Sequence, residues 1–181
     1  DYGGDPTVIP TLTYEQFKDF HETFYHPSNA RVFFAGDDDP TQRLKLVNEF
    51  IAEFDRRNVD AEVALQEHFD EPVRTVKRYD SGEDTEKKGM VTVNWLLGET
   101  SADPEHTLAL NILSPVLLGT PASPLRKALL DSGLGENLAG GGLATQRKQM
   151  SFSAGMRGID PTDSVKIETL IEETLKDLAE N

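Results

Sequence analysis

The strict alternation of side chains over residues 90–97 constrains the fold more than any other feature of the sequence. Val91, Val93, Trp95 and Leu97 belong to one face, and the residues between them to the other, which predicts a β-strand. Residues 150–157 show a second alternation, in which apolar side chains alternate with Ser, Gly and Arg, and this pattern predicts a half-buried strand. The chain therefore folds around a sheet.

Helix starts are equally well marked. Asp39-Pro40, Asp103-Pro104 and Asp160-Pro161 each place an acidic cap before a proline, which is favoured in the first helical turn. Thr13 and Gln16 fit a capping box, and that helix should end near Tyr25 because His26 precedes a proline. Pro124 opens a further short helix. On the last helix, the residues expected on the buried side are Ile167, Leu170, Ile171, Leu175 and Leu178.

The remaining segments predict further strands and connections. The apolar run Ala30–Ala35 suggests a strand buried on both faces, and Val73–Tyr79 a moderate strand. Residues 55–72 are expected to be irregular, and residues 80–88 to form a mobile connection. Because helices and strands do not alternate regularly, we predict an α+β fold, a largely antiparallel sheet with helices packed on one face.

Charge and composition exclude several classes of protein. With 18 basic and 32 acidic residues the net charge is −14, a surface that would repel a phosphate backbone, so nucleic-acid binding is not expected. No apolar run is long enough to span a membrane, and the first residues do not resemble a signal peptide. Without cysteine, disulfides and thiolate chemistry are impossible. The missing initiator Met and the amphipathic stretch that runs almost to Asn181 suggest a piece of a longer polypeptide.

The usual catalytic constellations are absent from the sequence. His21 and His26 are five residues apart, which places them roughly 140° out of line on a helix, so a half-buried His21 and a helix-ending His26 are expected rather than metal ligands. The sequence has no Gly-x-Ser-x-Gly motif, and no histidine lies near Ser123, Ser132, Ser151 or Ser153 in the sequence. Gly140-Gly141-Gly142 lacks the Lys-Ser/Thr ending of a phosphate loop and is interpreted as a flexible turn between strands.

The segment from Leu117 to Leu130 is more informative. Small residues from Gly119 to Ser123 join two helices, with Ser123 at the cap position before Pro124. One interpretation is an ordinary helix–turn–helix connection. The other is a backbone that an extended peptide can approach closely because its side chains are small, with Gly119, Thr120 and Ser123 as the substrate-facing residues.

That segment, continued through Gly135, resembles a signature stretch of presequence proteases, which belong to the pitrilysin/insulysin superfamily of inverted zinc metallopeptidases. Two further stretches resemble the same family in the same order: residues 3–30, with Tyr25-His26-Pro27-Ser28-Asn29-Ala30 at their end, and Val93-Asn94-Trp95-Leu96-Leu97. The resemblance covers nearly the whole chain. It implies a parent enzyme that closes around a chamber, where cleaved targeting presequences and other unfolded peptides are degraded.

The resemblance also implies where this chain belongs in the parent. The family's His-x-x-Glu-His zinc motif is missing here, so no catalytic or metal residue is assigned and zinc is expected in the parent only. Residues 1–29 would be the link and terminal helix from the catalytic domain, and residues 30–181 a non-catalytic domain truncated at its C-terminus. The fragment alone would be inactive; the alternative is a scaffold or assembly subunit whose parent has lost the metal site.

The implied partners are the remaining domains of the parent chain and basic unfolded peptides, which an acidic wall would attract because targeting presequences are Arg-rich. The implied location is the mitochondrial matrix, the chloroplast stroma or both, with the bacterial cytoplasm as the alternative.

Overall fold

The computed structural model describes residues 3–82 and 86–180, and the chain divides into two compact units. Residues 1–64 form the N-terminal unit and residues 65–181 the C-terminal unit. No helix among the described residues is long and apolar enough to cross a membrane.

In the described part of the N-terminal unit, the regular structure consists of two helices and of single 3₁₀ turns at Ile9–Thr11 and Pro27–Asn29. Helix α1 spans Tyr14–Phe24, and its capping box is formed as predicted: the Thr13 hydroxyl accepts from the Gln16 N–H at 3.2 Å, while the Gln16 side chain accepts from the Thr13 N–H at 2.8 Å. Helix α2 spans Pro40–Ile51, and Asp39 caps it by accepting from the Thr41 N–H at 2.8 Å.

Two predictions for this unit are wrong. The apolar run 30–35 forms no strand, and Val32 and Phe33 are 63% and 89% exposed. A strand forms only when a second strand satisfies its N–H and C=O groups, and the described part of this unit contains no strand. His21 is exposed rather than half-buried, and its ring stacks on that of Tyr25 with centroids 4.7 Å apart.

The C-terminal unit contains a three-stranded antiparallel sheet. Its strands are β1 (Gly89–Glu99), β2 (Asn137–Ala144) and β3 (Gln149–Ile159), in the spatial order β1-β3-β2. In register, Val93 lies opposite Ala154 on one side of β3, and Leu143 opposite Phe152 on the other. Both strands predicted from alternation are therefore confirmed, as is the α+β class.

Strand β2 was not predicted. Residues 140–142 are not a flexible turn between strands but belong to β2, where the register shifts between Ala139 and Gly142. Gly140 and Gly142 have φ of +83° and +68°, values that side-chain-bearing residues rarely adopt, so the glycines allow the bulge that keeps β2 paired with β3. The predicted strand Val73–Tyr79 is also wrong, because this segment belongs to no strand and is not part of the sheet seen in the described residues.

Three helices pack against the sheet and enclose the core. They are α3 (Pro104–Leu118), α4 (Pro124–Asp131) and α5 (Ser164–Glu180). The core cluster takes residues from the helices and from β3: Leu117, Leu125, Leu129, Ala154, Met156, Ile159, Ile167 and Ile171. On α5, Ile167 and Ile171 are fully buried and Leu170 and Leu175 partly so, but Leu178 is 41% exposed, so the predicted stripe ends one turn early.

The predicted starts of α3 and α4 are correct, whereas Asp160-Pro161 opens a single 3₁₀ turn, Pro161–Asp163, before α5 begins. Asp160 caps that turn by accepting from the Thr162 N–H at 2.9 Å. Residues 55–72 contain no helix or strand, as predicted. The predicted mobile connection at 80–88 lies partly outside the described residues.

Candidate functional site

The turn between α3 and α4 is the one place where residues were proposed from the sequence to face a substrate. Gly119 and Thr120 are exposed at the surface of this turn, whereas Ser123 beneath them is only 5% exposed. The three residues therefore lie together, but they do not have the same role. Gly119 and Thr120 form an outer surface, and Ser123 forms the inner support.

The Ser123 hydroxyl is the centre of a small hydrogen-bond network. It accepts from the Thr120 N–H at 3.0 Å, lies 3.1 Å from the Thr120 hydroxyl, and donates to the Pro115 carbonyl at 3.2 Å. The expected helix cap is correct in position only, because Ser123 precedes α4 but its side chain accepts no N–H of that helix. The hydroxyl instead holds the turn closed against the end of α3.

Gly119 is required by close packing. A Cβ atom at this position would lie 2.6 Å from the Pro115 carbonyl oxygen, to which the Gly119 N–H itself donates at 2.8 Å. Thr120 also uses its backbone internally, since its carbonyl accepts from the Ser123 N–H at 3.0 Å. The turn thus offers a ligand a smooth, small-residue surface rather than the N–H groups of Gly119 and Thr120.

Arg126, in the first turn of α4, is a feature that sequence reasoning missed. Its Nε atom is buried without a hydrogen-bond partner in the described part of the chain, although the residue as a whole is partly exposed. Its neighbours Leu125 and Leu129 belong to the core. The only signal in the sequence was a basic residue between core positions of an amphipathic helix.

Within residues 3–82 and 86–180, no three His, Asp or Glu side chains lie close enough together to hold a metal ion. His26, the more buried of the two neighbouring histidines at 6% exposed, instead accepts from the Ser28 N–H at 3.2 Å through Nδ1. Its Nε2 atom has no partner among the described residues.

Each unit also contains a concave surface of ligand size. In the N-terminal unit, an apolar pocket of about 660 Å³ lies between the residues around the end of α1 and helix α2, with His26 and Phe54 in its lining. In the C-terminal unit, a groove of about 620 Å³ lies between residues 74–81 and the first half of β1. We call this second feature the β1 groove.

Comparison with known proteins places the chain in a family. Residues 11–181 match the family model described as "Peptidase M16 inactive domain". The chain is 48% identical to presequence protease 1, chloroplastic/mitochondrial, of Arabidopsis thaliana, over 99% of its own length and 17% of that protein. It is 37% identical to the mitochondrial presequence protease of Xenopus laevis, over 98% of the chain and 18% of that protein. It is 34% identical to Protein HypA of Clostridium perfringens, over 99% of the chain and 18% of that protein.

The chain spans less than a fifth of the length of these curated relatives, and the match covers nearly all of its own residues. The α+β fold is consistent with a domain of this family. The chain belongs to the peptidase M16 inactive-domain family, and it is similar to the corresponding part of presequence proteases.

Proposed function

We propose that this chain is the non-catalytic domain of a zinc metalloendopeptidase that degrades cleaved targeting presequences and other short unfolded peptides. The family match and the 48% identity to a presequence protease support this proposal. In it, residues 1–29 form the link from a catalytic domain, residues 30–181 form one wall of the peptide chamber, and the fragment alone is inactive. In the proposal, zinc is bound by another part of the parent polypeptide.

The observation that carries the functional proposal is the charge of the chain. The net charge is −14, and acidic residues outnumber basic residues in both units. Targeting presequences are rich in Arg and poor in acidic residues, so they are attracted to such a wall. Long-range attraction of this kind raises the local concentration of a substrate without sequence-specific contacts.

The turn between α3 and α4 has a short-range role in the proposal. Gly119 and Thr120 present a surface of small residues that an extended peptide can approach closely, while Ser123 positions the turn from below. Ser123 is thus a positioning residue rather than a substrate contact. The names of the plant and frog relatives support the mitochondrial matrix or the chloroplast stroma as the location; the clostridial relative keeps the bacterial cytoplasm as the alternative.

The proposal is tested with the full-length polypeptide and a pair of matched peptides. One is an Arg-rich presequence peptide, and the other is the same peptide with every Arg replaced by uncharged citrulline. We expect kcat/KM for the Arg peptide to fall about tenfold as the salt concentration rises from about 50 to 500 mM, and that for the citrulline peptide to change less than about twofold. Equal salt dependence for the two peptides would refute the attraction by charge.

Zinc content is measured on the same preparations. We expect stoichiometric zinc and chelator-sensitive degradation in the full-length polypeptide, and neither in the 181-residue chain. A full-length polypeptide that binds no zinc and degrades neither peptide would contradict the enzyme proposal and favour a scaffold. Zinc-dependent degradation by the 181-residue chain alone would contradict the assignment of this chain as non-catalytic.

A further inference from the structure

The β1 groove combines a free sheet edge with a concentration of basic side chains. Strand β1 lies at the edge of the sheet, so one side of it pairs with β3 and the other pairs with no strand in the described residues. The groove lies along this second side. Of the described charged residues that line it, one is acidic and four are basic: Glu168, Arg74, Lys77, Arg78 and Lys88.

Residues 74–81 form the outer wall of the groove, and side-chain contacts attach this segment to the rest of the unit at both ends. Arg74 forms an ion pair with Glu168 of α5 at 2.6 Å, and the Tyr79 hydroxyl donates to the Lys88 carbonyl just before β1. Between these two attachments the segment forms no ladder with β1, and Val76 at its middle is 87% exposed. An open space of about 620 Å³ therefore remains beside the strand, within the usual range for ligand sites.

The backbone of β1 presents hydrogen-bonding groups to this space. The Val91 carbonyl faces β3, since a side chain on Gly155 of β3 would collide with it. Because successive residues of a strand point their N–H and C=O groups to opposite sides, those of Met90 and Thr92 face the groove. Such an unpaired edge is a template for an added strand.

The side chains around the edge select the chemistry of that strand. Val91, Val93 and Ile159 line the inner side of the groove and are apolar, whereas Lys77 and Arg78 on the outer wall are exposed and have no ion-pair partner among the described residues. Glu168, the acidic lining residue, is already engaged by Arg74. This lining therefore matches a strand that carries both apolar side chains, to pack near Val91 and Val93, and acidic side chains, to pair with Lys77 and Arg78.

We propose that the β1 groove binds a separate, extended polypeptide segment in which apolar and acidic residues alternate, by addition of that segment as a fourth strand along β1. This site differs from the one in the proposed function, since it selects acidic rather than basic peptides and lies beside β1 rather than at the α3–α4 turn. The test of this site is therefore independent of whether the parent polypeptide degrades presequences.

The test uses fluorescence anisotropy at about 150 mM salt, where charges more than about 8 Å apart are largely screened and the net charge of the chain matters little. The probe is a labelled, end-capped ten-residue peptide of alternating Val and Glu. One control peptide has Lys in place of Glu, and another has the Val–Glu sequence with alternate backbone nitrogens methylated. We expect the Val–Glu peptide to bind at least tenfold more tightly than either control, to the 181-residue chain and to the full-length polypeptide alike.

Charge reversal locates the site. The double variant Lys77→Glu with Arg78→Glu should weaken binding of the Val–Glu peptide about tenfold, because two attractions become repulsions. The matched control is Lys18→Glu with Lys45→Glu, which changes the net charge equally at two exposed positions of the N-terminal unit and should change affinity less than about twofold. Hydrogen exchange read by mass spectrometry should show slower exchange across 90–93 when the peptide is bound, a readout that needs no variant.

Several results would overturn the proposal. Equal binding of the N-methylated peptide would show that no strand is added, and equal or tighter binding of the Lys peptide would show that the basic wall does not select acidic chains. Absence of Val–Glu binding to the 181-residue chain would remove the site altogether. Binding to the 181-residue chain but not to the full-length polypeptide would mean that another part of the polypeptide covers the edge, which also refutes a separate ligand.

Discussion

The Ser123 hydroxyl is expected to stabilise the C-terminal unit far more than its size suggests. Its substitution Ser123→Ala removes one oxygen atom and leaves the backbone otherwise unchanged. The side chain is 5% exposed, and its hydroxyl contacts the Thr120 N–H, the Thr120 hydroxyl and the Pro115 carbonyl. After the substitution, the Thr120 N–H loses its acceptor and the Pro115 carbonyl loses one of two donors.

The magnitude follows from those contacts. An intramolecular hydrogen bond contributes about 1 kcal/mol net, and a buried donor left without a partner costs about 1–3 kcal/mol. Thr120 is exposed, so water partly replaces the bond to its N–H and the loss stays toward the lower end. We therefore expect Ser123→Ala to lower the free energy of unfolding by about 2 kcal/mol.

Urea unfolding followed by circular dichroism measures this change. With a slope of about 2 kcal/mol per molar urea, a loss of about 2 kcal/mol moves the midpoint down by about 1 M. Ser101→Ala is the matched control, because Ser101 is exposed and should shift the midpoint by no more than about 0.25 M, equivalent to about 0.5 kcal/mol. If the midpoints of the two variants coincide, the network around Ser123 does not hold the turn and the reasoning is wrong.

Two further predictions concern the surface of the turn and the start of α5. Thr120→Trp places a large ring on the exposed turn and should raise KM for peptides several-fold in the full-length polypeptide, whereas the control Ser101→Trp should leave KM unchanged. If KM of the Thr120→Trp variant is also unchanged, the turn does not face the substrate. Asp160→Ala should destabilise the chain most above pH 3.8, because hydrogen bonds from the Thr162 hydroxyl and N–H hold the pKa of Asp160 below its ordinary value of 3.8. The contribution of the ionised carboxylate is lost as the pH falls through that lowered pKa. The difference in the free energy of unfolding between wild type and variant, measured by urea unfolding from pH 7 to 2, should therefore become smaller below pH 3.8. A difference that does not change with pH would contradict this prediction.

Local signals in the sequence predicted local structure well. The capping box at Thr13 and the aspartates before Pro40 and Pro104 mark helix starts because the interactions that form them lie within three residues. The strands at 90–97 and 150–157 were predictable for a similar reason, since alternation directly reflects one buried face.

The errors concern pairing between distant segments. Residues 140–142 carry no strand propensity, yet they lie in β2 because β3 supplies partners and positive φ at two glycines accommodates the bulge. The run 30–35 has the propensity but no partner in the described part of its unit. At the α3–α4 turn, the sequence indicated which residues lie together, whereas the inward direction of the Ser123 hydroxyl depends on where the Pro115 carbonyl falls.

The position of β3 in the sheet has a consequence for biosynthesis. β3 lies between β1 and β2 but follows both in the chain, so neither can enter the sheet until β3 has left the ribosome. At about 5–20 residues per second, the roughly 70 residues from Gly89 to Ile159 take about 4–14 s to translate. During that interval β1 is an unpaired, apolar segment of the nascent chain. A chaperone that acts during translation would therefore be most useful if it bound β1.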